Sequence, residues 1–171
     1  MLLRAAQLEV QAARADPHGE LYKCLAAVLL AAFAIESLAN TIAERVLVSW
    51  PEVERKSCIV KLSLLARQLN VPFCMSEKPW SDAKSLFDLR NDLVHAKPEL
   101  VQQEGVAVQA EYDGLSFQLP ESTLEPQLTL AAAESAVATA EAIRDLLGLA
   151  VTPTERFGLF ADMATHSVSR E

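Results

Sequence analysis

The stretch from Glu20 to about Val48 constrains the fold of this chain more than any other segment. Its apolar side chains recur at spacings of three and four residues, which is the period of one face of an α-helix. Between Cys24 and Ile35 the opposite face is apolar as well. A helix that is apolar all round lies at the centre of a bundle or in an interface between subunits. The side chains predicted to face inward are Leu21, Leu25, Val28, Ala32, Ile35, Ala39, Ile42 and Val46.

The other segments predict further helices separated by short breaks. Ser49-Trp50-Pro51-Glu52 has the spacing of a capping box with proline near the first helical position. Ser81 or Asp82 can cap a later helix, and Gly148 is the predicted C-terminal cap of a long late helix. The predicted helices are 2–15, 20–48, 49–69, 81–96 and 129–147, followed by a short helix after Thr152-Pro153.

One segment has a different pattern. Val106–Tyr112 and Leu115–Leu119 alternate roughly between apolar and polar residues and flank Asp113-Gly114, which is a hairpin signal. A two-stranded hairpin is marginal alone and is expected to lie on the helices. The prediction is an all-α, mostly antiparallel helical bundle with a small β-hairpin inserted before the last long helix. We divide it into one domain, 1–171, with a hairpin and loop insertion at 99–128 and a C-terminal short helix and tail at 152–171.

Composition and net charge argue against several classes of function. The chain has 171 residues, is 51% hydrophobic and carries a formal net charge of −8, which argues against a broad nucleic-acid footprint. The apolar run from Cys24 to Ile35 is too short to span a bilayer, and the N-terminus lacks a signal-peptide layout. Three widely spaced cysteines support neither a disulfide framework nor a zinc site. We expect a cytoplasmic protein with reduced thiols and no membrane contact.

The best functional clue is the segment Ser85–Pro98. Pro98 disfavours the helical conformation at Lys97, so the helix is expected to end near Ala96. Arg90 falls inside the apolar arc of this helix, where an unpaired guanidinium is costly. His95 can exchange protons near neutral pH, and an arginine fork suits a phosphate. The two side chains project about 140° apart on an ideal helix, so one substrate meets both only with a bent groove, a distorted helix or a second subunit.

Two further polar residues lie in the long early helix. Glu36 is in or beside its apolar stripe, and Asn40 follows one turn later. They form either a solvated edge pair or polar groups that line a site. The third helix has a basic face, which we expect to be exposed to solvent. Its members are Arg55, Lys56, Lys61 and Arg67.

Arg90-Asn91-Asp92-Leu93-Val94-His95 resembles the Arg-x4-His motif of HEPN domains (higher eukaryotes and prokaryotes nucleotide-binding). The segment Ala34–Asn40 is similar to the family's long early helix, in which Glu and Asn one turn apart recur. The resemblance covers roughly Leu21 to Pro98 and the helix at 129–147.

The resemblance implies a homodimer in which two motif helices face each other. It implies a metal-independent ribonuclease of a toxin–antitoxin or defence system, with RNA as substrate and an antitoxin or other regulatory protein as partner. His95 would be the general acid/base, Arg90 would stabilise phosphate charge, and Asn91, with Glu36 and Asn40, would contact the substrate. Lys97 stands where some toxin members carry a modified tyrosine, so that form of regulation is not implied.

Two other interpretations stay open at this point. HEPN domains include non-catalytic modules that bind a nucleotide or a protein. Arg90 could also pair with Asp88, Glu36 or a dimer partner in a purely structural network. No glycine-rich phosphate loop and no histidine pair with metal-ligand spacing occur in the sequence, so neither a cofactor nor a metal is expected.

Overall fold

The computed structural model describes residues 1–95, 107–110, 114–117 and 122–152. Most of these residues are helical, and the helices form a bundle, which confirms the all-α class. A short 3-10 helix, Glu125–Gln127, precedes the last helix described. The α-helices are α1 Leu2–Ala15, α2 Glu20–Val46, α3 Trp50–Val53, α4 Cys58–Gln68, α5 Trp80–Val94 and α6 Leu130–Ala150.

The helix α2 is the centre of the bundle. It packs against α1, α4, α5 and α6. The prediction of a central helix is confirmed, although Leu21, Leu25 and Val46 are only partly buried. Alanine is frequent on the buried side, and short side chains let neighbouring helix axes approach closely. The buried residues of α2 are Cys24, Ala27, Val28, Ala31, Ala32, Ile35, Ala39, Ile42 and Ala43.

The whole of α2 is also long and apolar enough to cross a membrane by length and composition. The apolar run on which the sequence prediction relied is only part of this helix. The core helix of a globular bundle passes the same length and composition test. In this structure α2 contacts four other helices, and 39% of its most apolar 18-residue stretch is buried.

The helices α1 and α6 run antiparallel. Gln7 Nε2 donates to Glu141 Oε1 at 2.6 Å, and Arg14 Nε donates to Glu134 Oε1 at 2.8 Å. From the first contact to the second, the residue number increases by seven in α1 and decreases by seven in α6. The two helices therefore run in opposite directions.

The last long helix differs from its prediction at one end. Thr129 caps α6, and its hydroxyl accepts the backbone N–H of Ala132 at 3.2 Å. Gly148 is not a cap, because α6 continues to Ala150 and Gly148 is buried within it. Burial of Leu147 and Val151 in the final turn outweighs the low helix propensity of glycine. Three- and four-residue spacing predicts that one face of this helix points inward, and its members Ala133, Val137, Ala140, Ile143 and Leu147 are all buried.

The predicted third helix is wrong as a single element, because it is divided into α3 and α4. Ser57, with φ −59° and ψ 153°, interrupts the helical backbone before α4 begins. The Ser49 side chain makes no capping hydrogen bond, although Pro51 does lie in the first turn of α3. Because α4 is a separate helix, it packs on α2 in its own orientation.

The helix α5 begins at Trp80 with Pro79 as its N-cap residue, so neither Ser81 nor Asp82 is the cap. Trp80 is buried against Phe73, with ring centroids 4.9 Å apart, and its indole N–H donates to the Pro72 carbonyl at 3.1 Å. Tertiary burial of this indole therefore decides where the helix starts.

Two short strands, β1 Ala107–Ala110 and β2 Gly114–Phe117, pair antiparallel with Ala107 opposite Phe117. The turn at 111–113 and much of the predicted insertion at 99–128 lie outside the described residues. The hairpin and its packing on the helices therefore stay predictions. The predicted short helix also lies outside the described residues, since the description ends at Thr152.

Candidate functional site

Arg90 lies on α5 at the edge of the contact with α2. Its side chain is 23% exposed, and Nη2 donates to Glu36 Oε2 at 3.2 Å. Nη1 donates to Asn91 Oδ1 at 3.0 Å, and the guanidinium carbon lies 5.2 Å from the Phe33 ring centroid. A carboxylate, an amide and an aromatic face together offset the cost of holding this cation beside the apolar core.

Arg90 also retains unused donor capacity. Its Nε is buried and has no hydrogen-bond partner among the described residues. A guanidinium presents five N–H donors in a planar fork. The contacts to Glu36 and Asn91 use two of them, so the cation is anchored but not saturated.

Asn40, one turn after Glu36 on α2, belongs to the same polar region. Its Oδ1 accepts a hydrogen bond from Lys61 Nζ of α4 at 2.7 Å. The Lys61 ammonium also lies 5.5 Å from the Trp50 ring centroid. The prediction that Lys61 is exposed to solvent is therefore wrong, because this residue is only 3% exposed. Arg55, Lys56 and Arg67 are exposed as predicted.

The error lies in placing Lys61 on the solvent-exposed face, since Lys61 precedes the buried Leu65 by four residues. In α4 the residues Cys58, Lys61, Leu62 and Leu65 are buried and follow the three- and four-residue spacing of a single helical face. Lys61 is the charged member of an otherwise apolar stripe, just as Arg90 is on α5. That signal was present in the sequence, and the same test applied to residues 58–65 would have found it.

Cys58 lies among these charges. Burial raises the pKa of its thiol to about 12, with a further increase from Glu36, against smaller lowering effects of Lys61 and Arg90. The thiol is therefore neutral at physiological pH. We call Glu36, Asn40, Cys58, Lys61 and Arg90 the polar cluster.

His95 is outside the polar cluster. It is the C-cap residue of α5, where its backbone N–H donates to the Asn91 carbonyl at 2.9 Å. Its side chain is exposed, as is that of Asn91. The structure thus joins Arg90 to Glu36 and Asn91, and Asn40 to Lys61, but it joins none of them to the His95 imidazole among the described residues.

A separate groove lies on the other flank of α5. It has a volume of about 170 Å³ between α2, α5 and α6, and neither Arg90 nor His95 lines it. Its base is apolar, and Asp82, which pairs with Lys78 at 3.1 Å, lies at its edge. Its lining residues are Val28, Asp82, Ser85, Leu86, Leu89, Ala132, Ser135, Ala136 and Thr139.

Within the described residues, no group of three His, Cys, Asp or Glu side chains is arranged to hold a metal ion. All three cysteines are free thiols. Comparison with protein-family models, curated proteins and solved structures found no match to this chain. The functional argument therefore depends on the polar cluster and on the motif residues of α5.

Proposed function

We propose that this protein is a HEPN-like, metal-independent endoribonuclease that acts as a homodimer, as a toxin or defence component. The observation that carries the proposal is the anchoring of Arg90. A residue 54 positions away, Glu36, holds the guanidinium at a partly open edge of the bundle. His95 follows at the end of the same helix with an exposed imidazole.

In the proposed reaction, His95 takes the proton of a ribose 2′-hydroxyl, and the 2′-oxygen forms a bond to the adjacent phosphorus. The bond between phosphorus and the 5′-oxygen breaks, and the protonated His95 gives its proton to the 5′-oxygen. The products are a 2′,3′-cyclic phosphate and a 5′-hydroxyl. Arg90 stabilises the negative charge that develops on the phosphoryl oxygens, and Asn91 helps to orient the substrate.

The proposed dimer answers a geometric difficulty. Arg90 and His95 project about 140° apart on an ideal helix, so a single subunit presents both to one phosphate only with a bent groove or a distorted helix. A second copy facing the same surface would complete the site. Apolar side chains flank Arg90 on this surface, since Phe33 is 36% exposed and Val94 is 51% exposed.

A non-catalytic HEPN-like module that binds a nucleotide or a protein is the second candidate. It is favoured by the ion pair of Arg90 with Glu36, because a guanidinium that serves a structural pair needs no RNA substrate. The net charge of −8 also favours this candidate over a protein with a broad RNA footprint. The two candidates differ in what they predict for His95, since only the enzyme requires its imidazole.

The test is cleavage of mixed single-stranded RNA in EDTA by the wild-type chain, His95→Ala and Arg90→Ala. We expect cleavage by the wild type and a loss of at least about 100-fold in each variant, which is the usual contribution of a general acid/base or a charge-stabilising donor. His18→Ala and Arg67→Ala are matched controls, because both side chains are exposed and lie outside the polar cluster.

Circular dichroism must show that the variants keep their helices. Equal cleavage by the wild type and His95→Ala would point to a contaminating nuclease. No cleavage by the wild type, together with a thermal shift by a nucleotide, would favour the binding module.

A further inference from the structure

The polar cluster carries an excess of positive charge. Glu36 supplies one negative charge, while Arg90 and Lys61 supply two positive charges. Cys58 adds none, because its thiol stays protonated. In a chain with a net charge of −8, this is a local region of opposite sign.

Lys61 is the source of that excess. Among the described residues, its ammonium makes no ion pair and has one hydrogen-bond partner, the Asn40 amide oxygen. The Trp50 ring adds a cation–π contact. Burial of a lysine without a carboxylate partner is costly, and folded proteins rarely retain one without a use for its charge. An apolar residue of similar length would pack at this position without that cost.

Lys61 and Arg90 contact neighbouring side chains of α2. Asn40, which Lys61 contacts, is one helical turn from Glu36, which Arg90 contacts. The Lys61 ammonium is too buried to touch a ligand, whereas Arg90 keeps an accessible edge. Lys61 therefore acts at a distance, by offsetting the negative charge of Glu36 within the shielded interior of the bundle.

We propose that Lys61 makes the Arg90 edge of the polar cluster a phosphate-binding site, with Arg90 as the contact and Lys61 as a buried positioning charge. The ligand class, a phosphodiester of single-stranded RNA, rests on the proposed function. The phosphate site itself does not require catalysis. A free nucleotide presents the same chemistry, so the experiment must separate the two sources.

The experiment measures binding of a 2′-O-methyl RNA oligonucleotide by fluorescence anisotropy at low salt. This strand has phosphodiesters but no 2′-hydroxyl nucleophile, so it cannot be cleaved by the proposed route. Lys61→Met removes the charge and keeps the apolar stem, whereas Lys61→Gln also keeps an N–H donor for Asn40. Lys56→Met is the matched control, because it removes the same charge from an exposed site near α4.

We expect both Lys61 variants to weaken binding on the order of tenfold, as the loss of a unit charge in a partly shielded site implies. Thermal stability should be unchanged or higher, since an apolar replacement for a buried ion is often neutral or stabilising. Lys56→Met should bind like the wild type. Titration with AMP in parallel distinguishes a free nucleotide from an RNA phosphodiester as the ligand. The site recognises whichever of the two binds more tightly to the wild type and loses affinity in the Lys61 variants.

Wild-type affinity in folded Lys61→Met or Lys61→Gln would overturn the proposal, as would an equal loss in Lys56→Met or no binding of either probe by the wild type. These outcomes are distinct from failure of the ribonuclease. Lys61-dependent binding without RNA cleavage rejects the enzyme and keeps the phosphate site. RNA cleavage that is unaffected in the Lys61 variants keeps the enzyme and rejects the Lys61-dependent phosphate site.

Discussion

At the scale of single residues, the two cations of the polar cluster are buried in different ways. Arg90 is partly exposed and divides its donors between a carboxylate and an amide, and it lies over Phe33. Lys61 is almost fully buried and has one amide oxygen and one aromatic ring. The planar guanidinium of arginine can bind several partners at once, while the compact ammonium of lysine can be enclosed by only a few groups. This difference is why Arg90 is the group available to a ligand.

Cys58 provides a pH-dependent prediction. Burial raises the pKa of this thiol to about 12 from its ordinary value of 9.0. Between these two pH values the unfolded chain has lost the proton while the folded chain still holds it, so the free energy of unfolding falls as pH rises. We expect urea unfolding under reducing conditions to show a steeper decrease above about pH 9 for the wild type than for Cys58→Ala.

Cys74→Ala is the control for this measurement, because Cys74 is exposed. Its stability curve should run parallel to that of the wild type. Identical slopes for the wild type and Cys58→Ala would show that the thiol is not held in the neutral form by the fold.

At the scale of secondary-structure elements, burial and capping decide the helix ends in different places. The start of α5 follows from the buried indole of Trp80, and the extra turn of α6 follows from burial around Leu147. The start of α6 depends instead on a local cap, the Thr129 hydroxyl. Only the last of these three ends is controlled by residues adjacent in sequence.

The cap of α6 gives an element-scale prediction. Thr129→Ala leaves the Ala132 N–H without its side-chain acceptor and should lower the free energy of unfolding by about 1 kcal/mol. Thr129→Ser keeps an acceptor and should lie within a few tenths of a kcal/mol of the wild type. Urea denaturation followed by circular dichroism measures both values. A Thr129→Ala protein as stable as the wild type would mean that water satisfies the N–H equally well.

At the scale of the whole molecule, α2 links the core to the polar cluster. One side of α2 is buried against four other helices, while Glu36 and Asn40 from the same helix reach the α4 and α5 cations. The bundle therefore sets the geometry of the polar cluster without any loop among its members. Side chains held on packed helices keep their relative positions more closely than side chains on loops do.

The proposed homodimer gives the prediction at this scale. Val94→Asp places a charge on the exposed apolar surface next to Arg90 and should convert a dimer into a monomer without loss of helix, since burying an unpaired charge is costly. Sedimentation equilibrium measures the mass, and RNA cleavage should fall with dimerisation. Val48→Asp, at a fully exposed position in the loop after α2, is the matched control. A monomeric wild type, or a Val94→Asp protein that stays dimeric, would reject an interface through this surface.

The helical part of the fold was largely predictable from sequence, and the site was predictable in part. The three- and four-residue spacing identified the inward residues of α2 and α6, because one face of a regular helix repeats wherever it packs. The same spacing indicated that Arg90 would need a partner. It did not identify that partner, since Glu36, Asp88 and a second subunit were all consistent with the sequence.

The sequence by itself determined which face of α2 is apolar and that Arg90 lies in an apolar arc of α5, because both follow from the helical period and need no information about neighbours. Only the tertiary structure decided that Glu36 pairs with Arg90, that α3 and α4 are separate, and that Asn40 is the hydrogen-bond partner of Lys61. These outcomes depend on how α2, α4 and α5 pack together, and residues 21 to 54 positions apart meet only once the bundle has formed.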